Sequence, residues 1–222
     1  MEVSDAIATR ISCRAFKSDP VPQATVRRIL ERAAKTPSGG NLQPWHVAVL
    51  TGAPLQALIT DIADKSHMLP DGEGSDYPIY PPGLHEPYRG RRFQCGADLY
   101  AVLGIAREDK ARRFAQFSRN FGFFGAPVGL FFSIDWRMEV GQWSDLGMFI
   151  HAVMLLAREE GLHTCAQEAW AIWPKTVARH IDLPDDRMVF CGMALGIMDD
   201  TDPVNTLRTE RAPVDAFTTF RG

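Results

Sequence analysis

The run Pro127-Val128-Gly129-Leu130-Phe131-Phe132-Ser133-Ile134 decides the fold class of this 222-residue chain. It has no charge and no alternation of polar with apolar residues, which predicts a strand covered on both faces at the centre of a sheet. Shorter stretches at 45–51, 162–167 and 188–198 predict its neighbours. The sheet is therefore expected to lie inside the protein, between other layers.

Helical stretches separate these strands. They are predicted over residues 22–35, 55–65, 91–103, 108–121, 141–160 and 174–181. Runs of helices between strands, with a buried sheet, predict an α+β protein built as a three-layer α/β/α domain.

The stretch 141–160 is the longest predicted helix, and apolar residues occupy nearly every side of it. A helix that is apolar all round in a soluble protein is buried on all sides. Either it is the central helix of a monomer, or a second subunit covers one side. The apolar part, 143–157, contains Ser144, Asp145 and His151, and it is too short and too polar for a membrane span.

Composition and charge exclude several classes of protein. The chain is 45% hydrophobic, 23% charged and carries a formal net charge of −3, which argues against a dedicated nucleic-acid binder. The acidic N-terminus lacks the apolar segment of a signal peptide. Four cysteines without a C-x-x-C pair predict free thiols in the cytoplasm, with neither a metal site nor a redox motif.

Two arginine pairs lie near opposite ends of the chain. Arg10 and Arg14 flank Ser12, and Arg208 and Arg211 lie close to the C-terminus. The planar guanidinium group matches phosphate oxygens in pairs, so these segments predict an anion site. The alternative is four exposed arginines. The phosphate interpretation requires the fold to bring the two ends together.

The loop from Pro37 to Trp45 is rich in small hydrogen-bonding residues. Ser, Gly, Asn and Pro are ordinary turn residues, which explains much of it. A functional interpretation is that Ser38, Asn41 and Gln43 bind a planar heterocycle or its polyol chain. Turn chemistry alone gives no reason for Gln43-Pro44-Trp45.

A long excursion over residues 67–124 begins with a Pro-, Gly- and Tyr-rich loop, 67–89. Loops of this length in compact domains often form functional lids. Its aromatic residues either pack in the core or line a pocket for a flat apolar substrate.

Familiar catalytic motifs are missing from the sequence. No nucleophile triad, G-x-G-x-x-G or G-x-x-x-x-G-K-[ST] is present, so a Rossmann nucleotide site and a P-loop are not indicated. A bound nucleotide must be held in another way.

Taken together, the fragments resemble the flavin-dependent nitroreductase family, in particular its nitrobenzoate-reductase-like branch. The motifs that carry the resemblance are R-x-S-x-R at 10–14, P-S-G-x-N-x-Q-P-W at 37–45, the segment 119–127, G-L-H-T-C-A-Q-E-A at 161–169, G-M-A-L-G at 192–196, and Asn205 with R-T-E-R-A-P at 208–213.

The resemblance implies a single FMN-binding domain over residues 1–222, folded as a mixed, mainly antiparallel sheet flanked by helices. It further implies a homodimer with the long helix at the interface and FMN between the subunits. NADH or NADPH would be the co-substrate, and a nitroaromatic or quinone-like compound the electron acceptor. No nucleic acid, membrane or metal is implied.

The resemblance also assigns cofactor contacts to individual residues. Arg10, Ser12, Arg14 and Arg211 match ribityl and phosphate contacts, while Pro37, Ser38, Asn41 and Gln43 match a loop from the partner chain. Gln167, Glu168 and Ala169 match the segment that faces the flavin, and Asn120 an asparagine at its pyrimidine edge. Many family members carry a lysine at the position of Thr209, so Arg208 is expected to substitute for it. Many also carry a lysine near N1 and O2 of the flavin, and no lysine of this chain matches that position.

The implied chemistry takes place at flavin N5, without a catalytic side chain, by a ping-pong mechanism. Three alternatives stay open: another flavin chemistry on the same scaffold (dehalogenation, enone reduction or flavin fragmentation), a non-catalytic flavin-binding protein, and an interaction protein without cofactor.

Overall fold

The computed structural model describes residues 1–222 and is built on a four-stranded antiparallel sheet. The strands are β1 (His46–Thr51), β2 (Val128–Asp135), β3 (His163–Gln167) and β4 (Arg187–Gly196), in the spatial order β1-β2-β4-β3. Every residue of β2 from Val128 to Ile134 is buried. The apolar run therefore forms an inner strand, as predicted, and β3 lies at an edge.

Seven α-helices accompany the sheet. They are α1 (Val3–Thr9), α2 (Gln23–Ala33), α3 (Gly52–Ser66), α4 (Tyr88–Val102), α5 (Lys110–Ser118), α6 (Val140–Glu159) and α7 (Pro174–His180). One core cluster joins α2 and α6 to one face of the sheet, and a second joins α3 and α7 to the other. This confirms the three-layer α/β/α prediction. The strands are antiparallel throughout, and the parallel component is a single bridge between Ser12 and Thr164.

The predicted helix over 108–121 is too long. It ends at Ser118, and 3₁₀ turns follow over Arg119–Gly125. Phe123 and Phe124 take positive φ values of 49° and 55° there, a conformation that bulky residues rarely adopt. Both rings are buried in the core, and Phe123 stacks on Trp170 with ring centroids 4.6 Å apart. In this segment the burial of the two phenylalanine rings, and not the helical spacing of apolar residues, therefore decides the backbone conformation.

Helix α6 is a core helix with one open flank. Its 20 residues are long and apolar enough for a membrane span by length and composition, but Leu146, Phe149 and Val153 pack in the core cluster of the sheet. On the other flank Met148 is 44% exposed, and His151 is also exposed. One copy of the chain therefore leaves this flank of α6 uncovered. The alternative of a monomer's central helix buried on all sides is wrong, and the alternative of a second subunit stays a prediction.

Hydrogen bonds fix the first part of the excursion to the rest of the fold, and helix α4, which follows, is largely exposed. The Glu73 carboxylate accepts hydrogen bonds from the backbone N–H (3.0 Å) and hydroxyl (2.6 Å) of Thr176, in the first turn of α7, and the Tyr77 hydroxyl donates to the Phe190 carbonyl at 2.6 Å. Helix α4, in contrast, has no buried residue. The excursion aromatics therefore divide: Phe123 and Phe124 are core, whereas Tyr80, Tyr88, Phe93 and Phe114 are exposed.

Candidate functional site

Both ends of the chain line one cavity of about 500 Å³. Arg10, Ser12 and Arg14 come from the segment after α1, and Arg208 and Arg211 come from the C-terminal segment. The ends thus meet, as the phosphate hypothesis requires. We call this space the terminal cavity.

The terminal cavity is strongly cationic. Its lining contains four arginines and a histidine but no carboxylate. The guanidinium groups of Arg14, Arg208 and Arg211 donate to nearby main-chain carbonyls, and none of the four arginines forms an ion pair. Such a donor set suits a phosphate dianion, which accepts several charge-assisted hydrogen bonds.

Hydrogen bonds between distant segments hold the terminal cavity together. The N–H of Cys13 donates to the Thr164 carbonyl of β3 at 3.0 Å. Asn205, only 4% exposed, accepts from the Arg14 N–H at 2.8 Å and donates to the carbonyls of Ala15 (2.9 Å) and Asp199 (2.8 Å). Asn205 therefore fastens the N-terminal segment to the C-terminal one. Asn205 was part of the family motif, but its role in joining the two ends was not predicted, because an Asn among turn residues is unremarkable.

The end of β3 continues from the terminal cavity. Ser12 pairs with Thr164, and Glu168 follows four residues later, which is about 13 Å along a strand. Glu168 is exposed and Ala169 is half-buried. The carboxyl group of Glu168 is nevertheless partly shielded from water, and this desolvation raises its pKa. An elongated ligand with its phosphate in the terminal cavity can therefore reach this segment.

Gln167 plays a different part from its neighbours. Its side chain is 3% exposed, and its amide donates to the main-chain carbonyl (2.8 Å) and side-chain oxygen (3.2 Å) of Asn120. Asn120 in turn donates to the Phe117 carbonyl at 2.8 Å. Gln167 therefore fixes Asn120, the predicted pyrimidine-edge residue, next to the end of β3.

The loop with Pro37, Ser38, Asn41 and Gln43 lies elsewhere, and none of its residues lines the terminal cavity. Its Gly39 N–H donates to the buried carboxylate of Asp145 in α6 at 3.1 Å. Trp45 stacks on Phe149 of the same helix, with ring centroids 4.7 Å apart, which explains the aromatic residue that turn chemistry left unexplained. The loop is thus anchored on α6.

The backbone of this loop is constrained. Asn41 and Gln43 have positive φ values of 58° and 51°, and the Gln43 N–H donates to the Ser38 hydroxyl at 2.9 Å. Non-glycine residues in this region carry strain that is often found at binding sites. Pro37, Asn41 and Gln43 are exposed in this loop.

Sequence reasoning missed His151 and Cys95, which also line the terminal cavity. His151 lies on the open flank of α6, and Cys95 lies on α4. A single histidine in an apolar helix and a single cysteine in an exposed one carry no sequence signal. Half-buried His163 lies nearby, and burial, followed by the charges of Arg158 and Arg208, lowers its pKa to about 4.

A family model described as "Nitroreductase family" matches residues 7–197. The chain belongs to this family. Nitrobenzene nitroreductase from Ectopseudomonas oleovorans is 37% identical to this nitroreductase-family chain over 98% of the chain and 96% of the relative. 4-Nitrobenzoate reductase from Pseudomonas putida is also 37% identical, over 97% of the chain and 94% of the relative.

A solved structure gives the same result for the fold. The FMN- and NADPH-dependent nitroreductase NfnB from Sphigopyxis sp. strain HMH is 45% identical, with a TM-score of 0.97 and full coverage of both chains. The family and fold predictions are therefore confirmed.

Proposed function

We propose that this protein is an FMN-dependent oxidoreductase that transfers electrons from NADH or NADPH to nitroaromatic or similarly electron-poor compounds, including quinone-like ones. The observation that carries the proposal is the terminal cavity, in which four arginines from the two ends of the chain converge without a carboxylate. The relatives support it by their activities: they include nitrobenzene and 4-nitrobenzoate reductases and an FMN- and NADPH-dependent nitroreductase.

The residues of the site fit FMN. Arg10, Ser12, Arg14, Arg208 and Arg211 hold its phosphate and ribityl chain. The Glu168–Ala169 segment, at the open end of β3, would face the flavin ring, and Asn120, fixed by Gln167, would contact its pyrimidine edge. Bound FMN supplies the redox chemistry, accepting and returning two electrons at N5, so the protein needs no catalytic side chain of its own.

The functional unit is a homodimer in this proposal. The loop with Pro37, Ser38, Asn41 and Gln43 is anchored on α6, and none of these residues lines the terminal cavity of its own chain, so in this proposal they serve the flavin of a second copy. The open flank of α6 supplies the interface. A tail of exposed aromatic residues, Phe217 (72%) and Phe220 (78%), adds apolar surface that the single chain leaves uncovered.

We further infer that residues 1–222 act as one FMN-binding domain, with the 67–124 excursion as part of it, and that the enzyme works in the cytoplasm. Residues from both ends of the chain line the terminal cavity, which supports a single domain. Three buried cysteines and one exposed cysteine, all free, fit a reducing compartment.

The test is an anaerobic visible spectrum of the purified, FMN-loaded protein. Addition of NADPH or NADH should bleach the flavin absorbance, and a nitrobenzoate added afterwards should restore it with stoichiometric loss of the nitro compound. Double-reciprocal plots of the rate against the nicotinamide concentration, at several concentrations of the nitro compound, should show parallel lines, as ping-pong kinetics requires. A yellow protein that no nicotinamide bleaches would instead be a flavin-binding protein without this activity.

A further inference from the structure

A second arginine cavity, of about 720 Å³, lies between α4 and α5 in the excursion. Arg89, Arg92, Arg107 and Arg113 line it, together with the rings of Phe93 and Tyr100. We propose that this excursion cavity binds the adenosine 2′-phosphate end of NADPH and thereby selects NADPH over NADH. The inference rests on the proposed function, whose site leaves this cavity unassigned.

The charge of the excursion points to an anionic ligand. Residues 86–119 contain eight basic and four acidic residues, a net charge of +4, in a chain whose net charge is −3. Arg89 is paired with Glu86 at 2.9 Å. Arg92, Arg107 and Arg113 take part in no ion pair. Three guanidinium groups are therefore uncompensated at one cavity, which suits a phosphate dianion better than a single carboxylate.

Aromatic rings orient these guanidinium groups. The Cζ atom of Arg113 lies 3.6 Å from the ring centroid of Tyr100, and that of Arg92 lies 4.0 Å from the centroid of Tyr80. Stacking fixes a guanidinium through its face and leaves its N–H edge free for phosphate oxygens. Phe93 is 60% exposed. The Cζ atom of Arg107 lies 5.6 Å from its ring centroid, so an adenine base would stack on the opposite face of the ring.

The position of the excursion cavity favours the distant end of a dinucleotide over the compound being reduced. It shares no lining residue with the terminal cavity and includes none of residues 167–169. A nitroaromatic must react at the flavin ring and cannot extend to a separate cavity. Helix α4 lies between the two cavities, with Cys95 on one and Gly96 on the other, and a helix is about 10 Å across. The excursion cavity and the terminal cavity are therefore separated by about one helix diameter.

The test measures binding and kinetics with the FMN-loaded enzyme. The Kd of 2′,5′-ADP is determined by calorimetry, and the KM values for NADPH and NADH are determined with a fixed nitro substrate. Arg107→Ala/Arg113→Ala should weaken 2′,5′-ADP binding and raise the KM for NADPH by about tenfold or more, since charge-assisted hydrogen bonds are lost. The KM for NADH should change less than about twofold. Arg107→Lys/Arg113→Lys, which keeps the charges but loses the planar fork, should lie in between.

Arg112→Ala is the matched control. It removes one arginine charge at the position next to Arg113 in α5, but Arg112 does not line the cavity and is paired with Asp109. Its KM values should equal those of the wild type. Equal effects of the control and the double variant, a rise in KM that is the same for NADH, or failure of 2′,5′-ADP to bind the wild type would each overturn the proposal. Because 2′,5′-ADP binding needs no turnover, its result is independent of whether the enzyme reduces nitro compounds.

Discussion

The terminal cavity and the excursion cavity each gather four arginines, but they are built in opposite ways. The first is tied to the sheet by backbone hydrogen bonds and by the buried side chain of Asn205. The second lies between two helices, one of which has no buried residue. From this difference we expect the terminal cavity to hold the proposed resident cofactor and the excursion cavity to take the proposed co-substrate, which must leave in each cycle.

The largest expected effect is on the affinity for FMN, which should depend on the arginines of the terminal cavity and not on those of the excursion cavity. Arg14→Ala/Arg211→Ala removes one proposed phosphate contact from each chain end, and each charged hydrogen bond contributes about 1.5–3 kcal/mol. FMN affinity, measured by quenching of flavin fluorescence, should fall at least about a hundredfold. Arg107→Ala/Arg113→Ala should change it less than about twofold. Comparable losses in both double variants would remove the distinction between the cavities.

The next effect tests what makes the terminal cavity rigid. Asn205→Leu keeps the side-chain volume but leaves the Arg14 N–H and the Asp199 carbonyl without the partner that Asn205 provides, while the Ala15 carbonyl keeps the Asp199 N–H as a donor at 3.0 Å. Leaving buried polar groups unpaired costs about 1–3 kcal/mol each. We expect the free energy of unfolding of the apo-protein in urea to fall by about 2–4 kcal/mol, and FMN to bind more weakly. Thr206→Val, at the exposed neighbouring position, should stay within about 0.5 kcal/mol.

A third variant tests the support of the flavin-facing segment. A Cβ at Gly192 would lie 2.3 Å from Cδ1 of Trp170, two residues after Glu168. Gly192→Ala should therefore displace the Trp170 ring and lower the free energy of unfolding by about 1–3 kcal/mol. Gly141→Ala is the control, since its Cβ meets nothing within 4 Å. If both variants unfold at the same urea concentration as the wild type, Trp170 does not constrain this segment.

The smallest effect is a pH dependence beside the terminal cavity. The pKa of His163 is lowered to about 4, whereas an unfolded histidine titrates near 6.5. Between these values the unfolded state binds the proton and the folded state does not, so this contribution to stability is lost as the pH falls from about 6.5 to 4 and is constant above that range.

Since His163 is partly solvated, the loss should be about 1–2 kcal/mol after screening. Urea unfolding at pH 7, 5.5 and 4.5 measures it. His163→Gln should show a correspondingly smaller decrease, and His67→Gln, at an exposed position, should behave like the wild type. An unchanged pH profile in His163→Gln would contradict the assigned cause.

The order of helices and strands could be predicted because long periodic or apolar runs specify them locally. The element boundary near Ser118 could not, since it depends on the burial of Phe123 and Phe124 against a distant Trp170. The sequence motifs at 10–14 and 208–213 predicted which residue types line the terminal cavity. Their convergence was not predicted, because it rests on contacts such as that between Cys13 and Thr164, about 150 residues apart.

The excursion cavity had only a partial sequence signal: its aromatic residues were expected to pack in the core or to line a pocket, but its arginines were not recognised. Arginine, glycine and alanine spaced along α4 look like the solvated side of a helix, and the lining residues of α5 follow after a separate turn. The roles of His151 and Asn205 likewise appear only when distant segments meet. Local patterns thus identified the elements and the family motifs, while the second site required the folded arrangement.

The central claim is that guanidinium groups from both chain ends hold the phosphate of one flavin, and a comparison of FMN with riboflavin tests it most directly. Kd values for both flavins should be measured by fluorescence titration for the wild type, Arg14→Ala and Arg211→Ala. We predict that the wild type prefers FMN at least about a hundredfold, and that each variant loses about tenfold of that preference while its riboflavin affinity is unchanged. Equal binding of the two flavins by the wild type, or an undiminished preference in either variant, would contradict the claim.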